Sequence, residues 1–204
     1  MTIEEIDLYK LKADDIVKYL PEGDSSSCGT KSWTEFAQML IDKKVKAVSC
    51  AKIDKKMAEA IDAVLSIDIH LPESDPMQQK VPEKLFEYNS PDENSPVVIT
   101  SNSIITHQIL KLVFDTAKVK VFVIPVDTNG FTMDNSAVQG TLTPMAAMKA
   151  INESGIANKT SARRALISGL AGDQKSGLER ITRWSLEIGP VSGFELPMYL
   201  FAKS

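Results

Sequence analysis

The stretch Lys120–Thr143, KVFVIPVDTNGFTMDNSAVQGTLT, decides how this chain is read. Val121 to Pro125 has the apolar, β-rich composition of a buried strand. Asp127-Thr128-Asn129-Gly130 follows as a Gly- and Asn-containing loop of the kind that lets backbone approach a ligand closely. Gly140 and then Thr143-Pro144 restart a helix, with the threonine as N-cap and the proline in the first turn. Strand, loop and helix start together make the ligand-binding edge of an α/β sheet, and they leave the ligand unnamed.

From Pro96 onward the same grammar recurs. Val97 to Thr100, Lys120 to Pro125, Ala165 to Ile167 and Trp184 to Ile188 are strand candidates. Helical spacing lies between them over Ile104–Phe114, from Thr143 to the stop at Gly155, and over Gly177–Arg183, while Leu196–Phe201 closes the chain. This alternation predicts a Rossmann-like α/β fold, a mostly parallel sheet of about four or five strands with helices on both faces. In such sheets ligands bind beyond the carboxyl ends of the strands. Those ends are Thr100-Ser101-Asn102, Asp127 to Gly130, Ser168 to Gly172 and Gly189 to Gly193. All are rich in glycine, hydroxyls and amides, which suits a large, mostly uncharged ligand and equally suits the turns of βα loops.

Residues 1–70 differ. Thr2 and Glu5 have capping-box spacing, Ala13–Leu20 is a helical piece ended by Pro21, and Glu22–Ser32 is a Ser- and Gly-rich loop. Trp33, Phe36, Ala37, Leu40 and Ile41 then share a helical face, as do Met57, Ala60, Ile61 and Val64 within Asp54–Leu65. Residues 71–95 have the proline-rich, polar composition of a linker, with one short ordered piece expected around Leu85–Tyr88. The expected layout is therefore a helical module over 1–70, a linker over 71–95 and an α/β domain over 96–204.

With 204 residues, 43% of them apolar and 25% charged, the chain can bury a substantial core. A net charge of −4 with scattered basic residues argues against nucleic acid as a partner. No apolar run is long enough for a membrane span and the acidic start is unlike a signal peptide, so a cytoplasmic location is expected. The two cysteines, Cys28 and Cys50, are on composition two inert thiols. Neither G-x-G-x-x-G, a P-loop nor G-x-S-x-G occurs, and His70 and His107 lack neighbours at metal-ligand spacing. No catalytic residue or metal site declares itself.

Tyr19–Cys50, YLPEGDSSSCGTKSWTEFAQMLIDKKVKAVSC, resembles the N-terminal iron–sulfur module of the corrinoid/iron–sulfur protein large (gamma) subunit of the acetyl-CoA decarbonylase/synthase system. The four-cysteine pattern of that module falls on Ser25, Cys28, Trp33 and Cys50, with Phe36-Ala37 in register. A [4Fe–4S] cluster normally takes four thiolates, so the resemblance implies a degenerate module in which Trp33 fills the cluster's volume and no cluster is held. For Cys28 and Cys50 it leaves open a metal or a bond to each other.

PVVITSN-x3-T, VDTNG, N-x4-GTLT, RRALISGLAG and IGP-x6-P-x2-L are similar to the corrinoid-binding domain of the same subunit and of the related mercury-methylating corrinoid protein. The TIM barrel that separates the two modules in the family has no counterpart between them here. The resemblance implies corrinoid (cobalamin) contacts at Thr100, Thr106, Gly130, Phe131, Thr132, Met133, Asn135 and Gly193. Asn135 stands where the mercury-methylating relative carries a cobalt-ligating cysteine, so a cobalt without a strong protein ligand, and hence easily reduced, is implied. The expected function is a methyl-carrier subunit, a corrinoid protein working with a methyltransferase or a barrel-containing subunit of the corrinoid system. The alternative is an accessory or adaptor subunit that has lost the cofactor. An α/β enzyme with an unrelated substrate would need a catalytic constellation, and none is visible.

Overall fold

In a computed structural model of the chain, residues 10–69 and 78–203 are described. The Thr2/Glu5 capping box and His70 lie outside the described residues. The rest divides into two compact units, one made of residues up to Ile69 together with those from Val191 onward, the other ending at Pro190.

The first unit holds helices α1 (Ala13–Val17), α2 (Trp33–Ile41), α3 (Lys55–Ser66) and, from the far end of the sequence, α8 (Leu196–Ala202). Ser32 caps α2 by accepting from Glu35 N, and Asp54 caps α3 by accepting from Met57 N. The expected faces are buried: Trp33, Phe36, Ala37 and Leu40 of α2 pack with Met57 and Ile61 of α3 and with Met198 of α8. Glu195, 6% exposed, accepts from Tyr19 Oη at 2.7 Å and from Lys18 Nζ at 3.3 Å. Burial and the neighbouring carboxylate of Glu195 both push the Tyr19 hydroxyl well above its ordinary range. The closing helix, expected within an α/β domain over 96–204, therefore packs in the helical unit: its buried Met198 and the preceding Glu195 find their partners there.

The second unit holds β1 (Phe86–Tyr88), β2 (Val97–Ser101), α4 (Ile104–Ala117), β3 (Val121–Val126), α5 (Met133–Gln139), α6 (Pro144–Ser154), β4 (Arg164–Ile167), α7 (Lys175–Thr182) and β5 (Ser185–Ile188). The five strands form one sheet in the order β1-β3-β2-β4-β5. All neighbours are parallel except β1, which pairs antiparallel with β3 from Phe86↔Val123 to Tyr88↔Val121. This is the Rossmann-like, mostly parallel sheet that the alternation predicts. The 71–95 stretch supplies its edge strand as well as a connection.

β2 and β3 are buried at every position, because helices cover both faces of the sheet. Ile99, Phe122, Ile124, Val126 and Ile167 pack with Met133, Ala147, Ile151 and Leu178 on one side. On the other side Tyr88 meets Phe114 of α4 with ring centroids 5.4 Å apart. Pro125 is tolerated inside β3 for a simple reason. Phe122 N donates toward β2, at Pro96 O, so the two-residue alternation turns the nitrogen of Pro125 toward β1, whose pairing ends at Val123.

His107 of α4 is 3% exposed, and its ring stacks on Phe86 at 4.4 Å. Its Nε2 lies 2.9 Å from Ser101 O, so Nε2 carries the proton and donates, while Nδ1 is buried without a partner. Burial pushes its pKa from 6.5 to about 4, opposed by the Ser101 carbonyl and the charge of Glu83. The unfolded chain takes up this proton first, so the contribution to stability is full above pH 6.5 and is lost as pH falls toward 4. Denaturant titrations at pH 7.5 and 4.5 should show wild type losing roughly 2 to 3 kcal/mol more on acidification than His107→Gln, which keeps an N–H donor and does not titrate.

Candidate functional site

Strand order puts the site before any side chain is considered. From β2 the chain steps to β3 on one side and to β4 on the other, so the topological switch lies beyond the carboxyl ends of β2 and β4. Each half of this edge is tied together. Gly169 N donates to Pro190 O at 3.1 Å, joining the loops after β4 and β5, and Ser168 Oγ accepts from Leu170 N to start the 3-10 turn Gly169–Gln174.

The β2–β3 half hangs on Asn102. Its Oδ1 accepts from Thr128 N, Thr128 Oγ1 and Gly130 N at 3.1, 3.2 and 3.1 Å, and its Nδ2 donates to Asp127 Oδ1 at 3.1 Å. The loop so held is a tight turn. Phe131 N donates back to Thr128 O, and Asn129 and Gly130 both have positive φ, at 61° and 79°. In the PVVITSN run Asn102 counts only as part of a strand end; in the fold it is the hub of the edge. An asparagine just past a buried strand is the signal for it, since only a side-chain amide offers donors and acceptor together.

A second feature at this edge was absent from the sequence reading. Gln78–Val81 runs across the ends of β2 and β3: Val81 N donates to Asn102 O at 2.9 Å, Ile104 N donates to Gln79 O at 3.0 Å, and Lys80 forms an antiparallel bridge with Ser103. Lys80 Nζ reaches Asp127 Oδ1 at 2.9 Å and Asn129 Oδ1 at 3.4 Å. The Lys80 ammonium holds the Asp127 carboxyl below the usual carboxylate range, helped by the Asn129 N–H and Asn102 and opposed by partial burial. Gly130 is required beneath this strap, because a Cβ there would stand 1.9 Å from Gln78 O.

Among the residues expected to contact a corrinoid, Thr100 is buried in β2, and Thr106 in the first turn of α4 accepts from Ser101 Oγ at 3.3 Å. Gly130 and Phe131 belong to the turn. The segment after it is the short helix α5: Thr132 precedes it, Met133 is buried, and Asn135 Nδ2 donates to Thr132 Oγ1 at 3.2 Å. Asn135 is thus engaged in holding the helix start. Gly193 belongs to the helical unit, in the 3-10 turn Gly193–Glu195.

The four positions of the cysteine pattern also have distinct fates. Ser25 is buried and its hydroxyl donates to Thr30 O and accepts from Thr30 Oγ1. Trp33 packs edge-on against Phe36, ring centroids 5.8 Å apart. Cys28 and Cys50, expected on composition as separate thiols, are joined as a disulfide with Cα atoms 5.1 Å apart. With one hydroxyl, one indole and one disulfide, this donor set does not fit a [4Fe–4S] cluster. Among the described residues, no group of three or more His, Cys, Asp or Glu could hold a metal ion.

Comparison with known proteins shows a family. The family model described as CO dehydrogenase/acetyl-CoA synthase delta subunit matches residues 64–200. The chain belongs to this family. Its relatives include the acetyl-CoA decarbonylase/synthase complex subunit gamma of Methanopyrus kandleri, 33% identical over 128 residues, covering 62% of this chain and 28% of that protein. The corrinoid/iron-sulfur protein large subunit of Moorella thermoacetica is 28% identical over 111 residues, 54% of this chain and 25% of that one. The Archaeoglobus fulgidus gamma subunit is 26% identical over 194 residues, 94% of this chain and 40% of its own length. The chain thus spans well under half the length of these curated relatives, and the longest match takes in the helical unit as well as the sheet.

Two measurements check this geometry. Asn102→Ala leaves the buried amides of Thr128 and Gly130 without an acceptor, and should lower stability by about 2 to 4 kcal/mol with faster hydrogen exchange at both amides. The Cys28–Cys50 bond spans a sequence separation of 22 residues. Its reduction should therefore destabilise the helical unit by about 3 kcal/mol in a chemical denaturation series, and intact mass before and after reduction should differ by about two hydrogens.

Proposed function

We propose that the chain is a corrinoid-binding methyl-carrier subunit that works with a methyltransferase or a barrel-containing subunit of a corrinoid system. The observation that carries this reading is the switch-point edge, built of small hydroxyls, amides and glycine in a chain whose relatives include a protein named as a corrinoid/iron-sulfur subunit. A corrinoid is a broad, largely uncharged macrocycle fringed with amides, and neutral donors and acceptors on a preformed rim match it in kind. Thr100, Thr106, Gly130, Phe131, Thr132, Met133 and Asn135 would hold it from the sheet unit. When bound, the corrinoid supplies the cobalt centre that accepts and releases the methyl group.

The chain's own share is orientation. Asn102 fixes the turn on which Gly130 and Phe131 ride, and Thr132 and Asn135 fix the start of α5. Asn135 has no thiolate or imidazole to give a metal, so the reading calls for a cobalt without a strong ligand from this loop. Electrons for reactivation would come from a separate donor, because the helical unit holds a disulfide and a packed indole at the cluster positions.

A second reading is favoured by a specific observation. Gln78 lies on the open face of Gly130 and Lys80 bridges over Asp127, an arrangement that would suit a chain that has given up its cofactor and serves as an accessory subunit. Titration of the purified chain with cob(II)alamin separates the two. The carrier reading expects a change in the visible spectrum and co-elution of corrinoid with protein on gel filtration. Neither change would sink it in favour of the accessory subunit. Iron and sulfide analysis of anaerobically purified protein should find no stoichiometric iron.

A further inference from the structure

The groups that fasten Gln78–Val81 to the sheet are main-chain amides. Gln79 offers its carbonyl to Ile104 N, the first amide of α4, and Val81 offers its N–H to Asn102 O. Gln78 places another carbonyl in the space that Gly130 leaves by lacking a side chain. One donor and two carbonyl oxygens are thus presented to the ends of β2 and β3 by three amide units. The periphery of a corrin ring presents the same groups, as primary amides on short flexible arms.

We propose that Gln78–Val81 is an intramolecular stand-in for the amide-bearing rim of a corrinoid, seated on Gly130, one of the contacts proposed for that ligand, and displaced when it binds. This rests on the corrinoid reading above. The strap is held loosely enough for that. Its charged tie, Lys80 to Asp127, joins side chains 44% and 65% exposed, a surface pair of small worth that salt weakens further. The backbone bonds to Ile104 N and Asn102 O exchange readily for equivalent bonds from another amide. The strap is also an imperfect match, because Ser103 Oγ, fully buried at the bridge with Lys80, has no hydrogen-bond partner. That hydroxyl is left for the ligand. The same site then serves two purposes, keeping the rim amides of the protein satisfied when the ligand is away and selecting a ligand whose own amides repeat the pattern.

The test uses the full chain, cob(II)alamin as the probe, and two strap variants. Lys80→Ala removes the charged tie, and Val81→Pro removes the N–H given to Asn102. Each should bind cob(II)alamin about three- to tenfold more tightly than wild type, the gain from losing one weak competing interaction. In wild type the Val81 amide should lose hydrogen-exchange protection when cob(II)alamin is added. Equal dissociation constants for all three proteins, with Val81 protection unchanged, overturn the strap as competitor while the corrinoid reading stands. No binding by any of the three overturns the corrinoid reading and the strap proposal together.

Discussion

A single side-chain carbonyl oxygen, Oδ1 of Asn102, gathers two backbone amides and a hydroxyl from the loop after β3. Without it the loop after β3 would lose its direct acceptor from the end of the neighbouring parallel strand β2. The same residue accepts Val81 N on its main-chain oxygen and steadies Asp127 with its amide nitrogen. Turn, strap and ion pair are therefore referenced to one buried group. Such a network is cooperative, and losing its hub costs more than any one of its bonds.

The strands from Val97 to Ile188 were legible because their composition and spacing are local properties. So were Thr143-Pro144 as a helix start and Gly155 as its end, where Thr143 Oγ1 accepts from Ala146 N and Gly155 takes φ 70°. α5 was not legible: Met133–Gln139 is short and carries no amphipathic repeat, and it forms because Met133 is buried beneath the sheet edge. The final helix was legible as a helix but not as a member of the helical unit, since its apolar residues suit either core. The strap was invisible for a different reason. Its contacts use backbone groups that every residue possesses, and Lys80 meets Asp127 across 47 positions of sequence.

The helical unit is held by an apolar cluster and a covalent link. Phe36, Ala37 and Leu40 are buried at helical spacing, and Trp33 and the Cys28–Cys50 bond lie in the same cluster. Together they cross-connect a unit too small to rely on its core alone. The expectation of an iron–sulfur-like frame came from a family resemblance. The cross-link could come only from three dimensions, because spacing does not say whether two thiols face each other.

The division of the helical unit between both ends of the sequence bears on how the protein is made. During synthesis the residues up to Ile69 leave the ribosome before the sheet, whereas Met198 of their core and the Glu195 that binds Tyr19 leave after it. All strands of the sheet leave the tunnel in the interval, so the sheet can reach its native state as soon as β5 appears. The helical unit can thus be completed only after the sheet, once α8 has been made.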